Sequence, residues 1–368
     1  MQKAETYAAT QDIAMKFDDF CRGVMFGSLI GDCYGHLLDG RPPVSISVPS
    51  KYMEDTLAGK LRSELNYTNG TQMSLGVLRS LRVQRGLAPE ALAREFAEDY
   101  FNDGRNRRYD NSDAILFRAM QNANFENPYR FAAHMFHGAG SFRNGGAMKV
   151  VPLAVYALKL DDLEFEKLVV NVTRITHTHP EAIYGALLQA FAVRQVWDMV
   201  CCGHSGLFAE IFLNNLLDRL ANVQYRFICP RSSQWREAFN EYAERFQRVR
   251  FLLDAYDSPV NTVIRQLGTS PRAIESVPRA LYAFIRSLWI CEVPFNSMPL
   301  RALAHVMSWG GDTARTASMA CALSGGFQGV GPNLANNRCT IPDRMLHRCE
   351  GFGIVKEYTD WLISRFER

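Results

Sequence analysis

The 368-residue sequence predicts an all-α fold built as a single compact many-helix domain. Three observations carry that expectation. Apolar residues recur at spacings of three and four along almost the whole chain, the period of a helix with one buried face. No series of alternating apolar residues with hairpin turns between them stands out. The interruptions are short and polar or rich in Gly and Pro, and none is a long flexible linker. With 47% hydrophobic residues the chain has ample material for a core.

Residues 1–15 read as a flexible lead, because the periodic pattern sets in at Phe17. From there Phe17, Phe20, Cys21, Val24, Met25, Ser28 and Leu29 share one face of a first helix running to about Leu37. The same period marks helices over Thr71–Val83, Ala91–Phe101, Ala114–Met120, Glu181–Met199, Leu207–Leu220, Trp235–Leu253, Pro278–Ile290 and Thr313–Phe327. Asp110 to Asp113 has the composition of a helix N-cap just before an apolar run. Arg174-Ile175 and Gln224 to Cys229 are candidates for short extended pieces. Breaks at Pro42-Pro43, Gly138–Gly146 and Gly325–Pro332 do not divide the chain, and no fixed-period repeat suggests a solenoid. One domain over 1–368 is the simplest organisation.

Composition narrows the function classes. A net charge of +3 spread along the chain gives little pull on nucleic acid. The densest basic run, Arg105-Asn106-Arg107-Arg108, reads either as a solvated loop or as a phosphate-binding patch. Nine scattered cysteines without a C-x-x-C pair argue against a disulfide framework and a zinc site. Cys33 reads as packing rather than nucleophile, with no basic neighbour to lower its pKa. No run of 18 apolar residues suggests a membrane span, and the start of the chain does not resemble a signal peptide, so an intracellular location, cytoplasmic or nuclear, is expected. Neither a P-loop nor a Gly-x-Ser-x-Gly elbow occurs.

Four segments carry a more specific signal: Gly23 to Gly35, Tyr67 to Met73, Gly140 to Met148 and Gly310 to Thr316. In this order and spacing they resemble the ADP-ribosylglycohydrolase family. Glu275-Ser276-Val277-Pro278 and Ile175-Thr176-His177 make the chain most similar to the animal branch acting on ADP-ribosylserine, poly(ADP-ribose) and O-acetyl-ADP-ribose. The resemblance implies a single compact all-α, many-helix orthogonal bundle and, in the family, a pair of Mg2+ ions held by carboxylates and threonine hydroxyls. It also singles out departures in this chain. The family's Thr-Asp-Asp-Thr is Thr68-Asn69-Gly70-Thr71 here, and Gly-Gly-Asp-Thr-Asp-Thr is Gly310-Gly311-Asp312-Thr313-Ala314-Arg315.

Asn69 keeps a neutral oxygen, whereas Gly70 and Ala314 offer none and Arg315 brings a permanent positive charge. The family's catalytic glutamate aligns with Asp39, one methylene shorter. Residual metal positions are therefore Thr68, Asn69, Asp312 and Thr313, and no cofactor is expected. Arg315 has two placements open to it, a bidentate pair with a carboxylate such as Asp312 or an outward position on the first helical turn. Asp32, inside the first helix, is expected to hold structure by hydrogen bonds.

The ligand half is better kept. By resemblance Gly140, Ser141, Asn144 and Gly145 contact phosphate and ribose, and Phe142 and Phe136 lie around an adenine. Backbone amides just before a helix suit phosphate oxygens. His177 matches a family histidine near the diphosphate, with a capping or buried hydrogen-bonded role as the alternative. A metal pair with His179 lacks a third ligand. Against binding, Tyr109-Asp110-Asn111-Ser112-Asp113 replaces a glycine-containing family loop and places side chains and negative charge at the pocket.

These readings lead to a pseudoenzyme that keeps the fold and recognises ADP-ribose or an ADP-ribosylated protein without metal. A hydrolase using one metal or Asp39 alone, and a structural protein, are the alternatives. Neither a direct nucleic-acid nor a membrane partner is expected, and nothing in the pattern specifies an oligomeric state.

Overall fold

The computed structural model describes residues 2–203, 209–228, 232–255, 258–289, 293–330, 332–333 and 338–367. Helices make up the frame. The strands among the described residues are the short antiparallel pair Pro332–Asn333 and Arg338–Cys339. The predicted helices are present with modest boundary shifts: Asn69–Gln84, Pro89–Asp103, Asn111–Asn122, Pro180–Cys201, Ala209–Ala221, Ser233–Asp254, Ala273–Arg286 and Thr313–Gln328. Leu207 and Ile290, at the ends of two expected helices, lie outside the described residues.

The first helix spans Gln2–Gly35, so residues set aside as a lead are helical, in keeping with the helix-favouring Ala4, Glu5, Ala8 and Ala9. It stops at Gly35 and tightens into a 3-10 turn over His36–Leu38. Arg174 is the last residue of the helix Asp162–Arg174 and Ile175 lies in the turn after it, so the extended piece expected there is absent. The buried face of Phe165, Val169 and Val172 carries the helix through Arg174, against the low helix propensity of Val169, Val170, Val172 and Thr173. Gln224 lies in irregular chain, and Cys229 falls outside the described residues.

The first helix packs antiparallel against Thr313–Gln328, and glycine makes that contact possible. Gly23, Gly27, Gly31 and Gly35 recur every fourth residue. A Cβ on any of them would overlap the backbone of Gly325, Cys321, Ala317 or Thr313, respectively. The two backbones therefore approach more closely than side chains allow. This contact fixes Asp32 and the Asp39 turn beside the start of the Thr313–Gln328 helix. Buried apolar side chains from Phe17 to Ile363 form one contiguous cluster around the pair.

Before that helix, Gly310 and Gly311 hold φ of 70° and 69°, a conformation that L side chains rarely adopt. The turn is laced to the segment after the first helix. Gly40 N donates to Gly311 O at 2.8 Å, and Gly311 N donates to Arg41 O at 2.9 Å. Asp39 and Asp312 are thereby brought into one cleft from opposite ends of the sequence.

Candidate ligand cleft

Asp32 is fully buried and anchors one wall. It accepts hydrogen bonds from Thr68 N at 2.9 Å, Thr68 Oγ1 at 2.8 Å, Thr71 N at 3.2 Å and Thr71 Oγ1 at 2.6 Å. Four donors satisfy the carboxylate and fix the start of the Asn69–Gln84 helix. Thr68 also caps that helix, its Oγ1 accepting from Gly70 N at 3.3 Å. Both threonine hydroxyls are thus committed within the wall.

Arg315 turns inward. Its Nη1 lies 2.9 Å from Asp312 Oδ1, and its Nε and Nη2 reach Asn69 Oδ1 at 3.2 and 2.9 Å. Nη2 also approaches Arg108 O at 3.3 Å. The outward placement is therefore not adopted. Asp312 receives Asn144 Nδ2 on its second oxygen, so both of its oxygens are engaged. Gly70 leaves room that Met148 takes up: a Cβ at Gly70 would overlap Met148 Sδ.

Asp39 faces the first turn of the Thr313–Gln328 helix. Its Oδ1 accepts from Thr313 N at 3.1 Å and Ala314 N at 3.4 Å, a capping arrangement made from outside the helix. Burial, and then the nearby Asp312 charge, push the Asp39 carboxyl above its ordinary range against the pull of Arg315. The Thr313 hydroxyl donates to Gly35 O at 2.7 Å.

On the other side lie the residues expected to hold a ligand. Ser141, Asn144, Gly145, His177 and Phe136 line one cavity together with Asn69, Gly70 and Arg315. An adjoining one is lined by Phe136, Phe142 and Arg272. Phe136 and Phe142 are partly exposed, with ring centroids 6.1 Å apart, and the Arg272 guanidinium stands 5.7 Å from the Phe142 ring. Phe136 and His137 hold φ of 54° and 58°, a strained choice for non-glycine residues and one met at ligand clamps. Gly140 belongs to this loop but does not line either cavity. The helix after it, Gly145–Lys149, has only five residues, so the dipole expected to favour phosphate there is slight.

His177 is buried and its neighbours define its state. Lys149 Nζ donates to Thr176 Oγ1, which lies 2.6 Å from His177 Nδ1. The Thr176 hydroxyl has two lone pairs and one proton, so beside the Lys149 contact it pairs with Nδ1 as donor or acceptor according to the ring tautomer. Burial, then the charges of Lys149, Arg143 and Arg315, hold the imidazole well below its ordinary pKa and so neutral. Nε2 faces Gly145, where a Cβ would sit 3.1 Å away. His179 is a different case: its Nδ1 accepts from Glu181 N at 3.2 Å and caps the helix Pro180–Cys201.

Lys149 and Arg279 were not legible as site residues, whereas Asp113 belongs to the loop expected at the pocket. Lys149 is fully buried, and desolvation lowers its pKa to about 7 despite Asp113. Burial raises Asp113 to about 6 against the influence of Arg315 and Lys149. Arg279 is fully buried beneath the Gly310–Asp312 turn, donating to Asp312 O and Thr316 Oγ1, each at 2.9 Å. The start of the helix Asn111–Asn122 does show the expected cap, with Asp110 N donating to Asp113 Oδ2 at 2.9 Å. The basic run is neither a solvated loop nor a patch at Arg107, which is buried, pairs with Asp103 and Glu350 and stacks 3.9 Å from the Tyr67 ring centroid. Cys33 is buried, with its thiol pushed up by burial and by Cys349, as a packing role requires.

No helix among the described residues is long and apolar enough to cross a membrane. No group of three or more His, Cys, Asp or Glu side chains able to hold a metal ion occurs among them.

Comparison with known proteins places this cleft in context. A structure titled ADP-ribosylglycohydrolase-related protein complex superposes with a TM-score of 0.63, covering 96% of this chain and all of that one, at 18% identity. That likeness concerns the fold. The mouse ADP-ribosylhydrolase ARH3 is 30% identical over 359 residues, 94% of this chain and 90% of that protein. The human ADP-ribosylhydrolase ARH3 is 29% identical over 360 residues, 94% of this chain and 92% of its own length. The ADP-ribosylglycohydrolase family pattern matches residues 14–368. The chain belongs to the ADP-ribosylglycohydrolase family.

Proposed function

We propose that this protein is a pseudoenzyme of its family that binds ADP-ribose, free or attached to protein, with Arg315 as the resident cation of the cleft and no divalent metal. The observation that carries the proposal is the placement of the Arg315 guanidinium between Asp312 and Asn69, 2.9 Å from an oxygen of each. Hard divalent cations require several charged or carbonyl oxygens converging on one point. Here Asn69 Oδ1 and both oxygens of Asp312 are engaged by side-chain donors, Asp39 Oδ1 caps a helix, and Met148 fills the space beside Gly70. This donor set does not fit a Mg2+ pair, so no reaction step is assigned to one.

The ligand half supports recognition. Phe136 and Phe142 offer an aromatic rim suited to a purine, with Arg272 adding charge beside it. Ser141 and His177, in the tautomer that carries its proton on Nε2, supply neutral donors for the diphosphate in this reading. The identity of the relatives as ADP-ribosylhydrolases supports the same ligand class. Phosphate and ribose contacts by Gly140, Asn144 and Gly145 remain part of this proposal.

A second reading is favoured by Asp39, whose raised pKa in a cleft is a feature of general acids and bases. It is a metal-independent hydrolase with Asp39 in that role. The difficulty is that cleavage develops positive charge on the sugar, and Arg315 has the wrong sign to stabilise it. Incubation with an ADP-ribosylserine peptide in EDTA decides between the two. The pseudoenzyme releases no ADP-ribose, whereas release abolished by Asp39→Asn contradicts it and establishes the second reading.

A further inference from the structure

The two loops that carry unexpected side chains meet each other. Arg143, within the glycine-rich loop, forms an ion pair with Asp110 at the start of the helix Asn111–Asn122. Three adjoining cavities are lined by both residues: one against His177 and Gly145, one against Asp39 and Asp312, and one against Phe136 and Phe142. The pair therefore stands at their common border, between the aromatic rim and the floor where Arg315 lies.

The structure assigns Arg143 as the receptor for the ligand's diphosphate, and Asp110 as an internal carboxylate that takes the same guanidinium when no ligand is bound. This assignment rests on the ADP-ribose reading above. The chemistry favours exchange. A guanidinium binds phosphate through parallel hydrogen bonds, as it does carboxylate, and a diphosphate offers more charge and more acceptor oxygens than Asp110. The pair is also accessible, with about a third or more of each side chain exposed, 34% for Arg143 and 41% for Asp110. Exposed pairs hold weakly, so the incoming anion competes against a modest contact. The negative charge of this loop, an obstacle to a diphosphate by sequence alone, becomes a displaceable stand-in for it. Its effect is to weaken ligand binding without abolishing it.

The test is calorimetry with ADP-ribose and, separately, inorganic pyrophosphate on the full chain and its D110N, R143Q and R143K variants. Asn caps a helix as well as Asp does, so D110N retains the start of its helix, and an unchanged circular dichroism melt verifies that. The assignment predicts that D110N tightens both ligands by about five-fold. It predicts that R143Q weakens both by roughly ten-fold or more, with R143K in between. Equal ADP-ribose affinity in all four proteins overturns the assignment while leaving the ADP-ribose reading standing. Pyrophosphate binding that follows the variants, with no ADP-ribose binding, supports Arg143 as an anion receptor and removes that reading. No binding of either ligand to D110N overturns both.

Discussion

Arg315 and Asp312 lie one helical turn apart and face each other, Nη1 to Oδ1 at 2.9 Å, with side chains only 13% and 4% exposed. The contact joins a permanent cation to a carboxylate that Asn144 also holds. Removing one partner of a buried pair leaves the other charge uncompensated. Arg315→Ala is therefore expected to lower unfolding free energy by about 3–5 kcal/mol in chemical denaturation. Arg315→Lys is expected to recover only part of that, since an ammonium lacks the planar fork that spans Asp312 and Asn69. A loss below about 1 kcal/mol for Arg315→Ala would show that the pair is not structural.

Gly70 and Met148 are coupled. A side chain at position 70 must displace the buried Met148 thioether, so Gly70→Asp alone is expected to destabilise by roughly 1–3 kcal/mol through overpacking and carboxylate burial. Gly70→Asp with Met148→Ala is expected to be more stable than the sum of the two single changes, measured by a double-mutant cycle in urea. Additive effects would mean that the two positions do not share the space.

The fold was legible because helical periodicity is a local signal, whereas the close helix approach through Gly23, Gly27, Gly31 and Gly35 came to light only in the structure. Motif order was sufficient to bring Asp39, Asn69 and Asp312 to one cleft. Rotamers were not legible. The inward turn of Arg315 depends on Asn69, 246 residues away, and Asp39 caps a helix that starts 274 residues later. Lys149 and Arg279 were missed because a basic residue in a helix normally reads as exposed, and only the tertiary fold shows that both are buried.

The glycine stripe yields a sharper stability prediction. At Gly27 a Cβ would overlap the Cys321 carbonyl, which belongs to a helix backbone and has nowhere to go. Gly27→Ala is expected to cost more than the gain of up to about 1 kcal/mol that alanine gives in a free helix, and to lower the melting temperature. An unchanged or raised melting temperature would contradict the close approach of the two helices.

Asp113 sets a pH window. Its pKa rises from 3.8 to about 6 on folding, so the native state binds more protons than the unfolded chain between those values. Its contribution is fully present below about pH 4 and is lost as pH rises through about 6. Asn retains an oxygen for Asp110 N, and Asp113→Asn is expected to be more stable than the parent above pH 6 by roughly 1–3 kcal/mol, with the difference closing toward pH 4. Urea midpoints across pH 4–8 check this, and a pH-independent difference would exclude the linkage.

Thr176→Val removes the hydroxyl between Lys149 and His177. In the parent, nitrogen chemical shifts of the imidazole should report a neutral ring, with the proton on Nε2 that the proposed diphosphate contact requires. The variant should lose that fixed tautomer and weaken ADP-ribose binding by roughly ten-fold, the cost of one lost charge-assisted donor. A parent spectrum with the proton on Nδ1 would remove His177 Nε2 as a donor to the diphosphate.

In the proposed reading Arg315 occupies the place of the metal, and ADP-ribose binds without a divalent ion. Calorimetric titration of ADP-ribose into the purified protein, once with excess Mg2+ and once with excess EDTA, tests it most directly. Equal affinity in the two buffers is the predicted result. Binding that appears only with Mg2+ would contradict a metal-free cleft, and absence of binding in both would leave the fold without its proposed ligand.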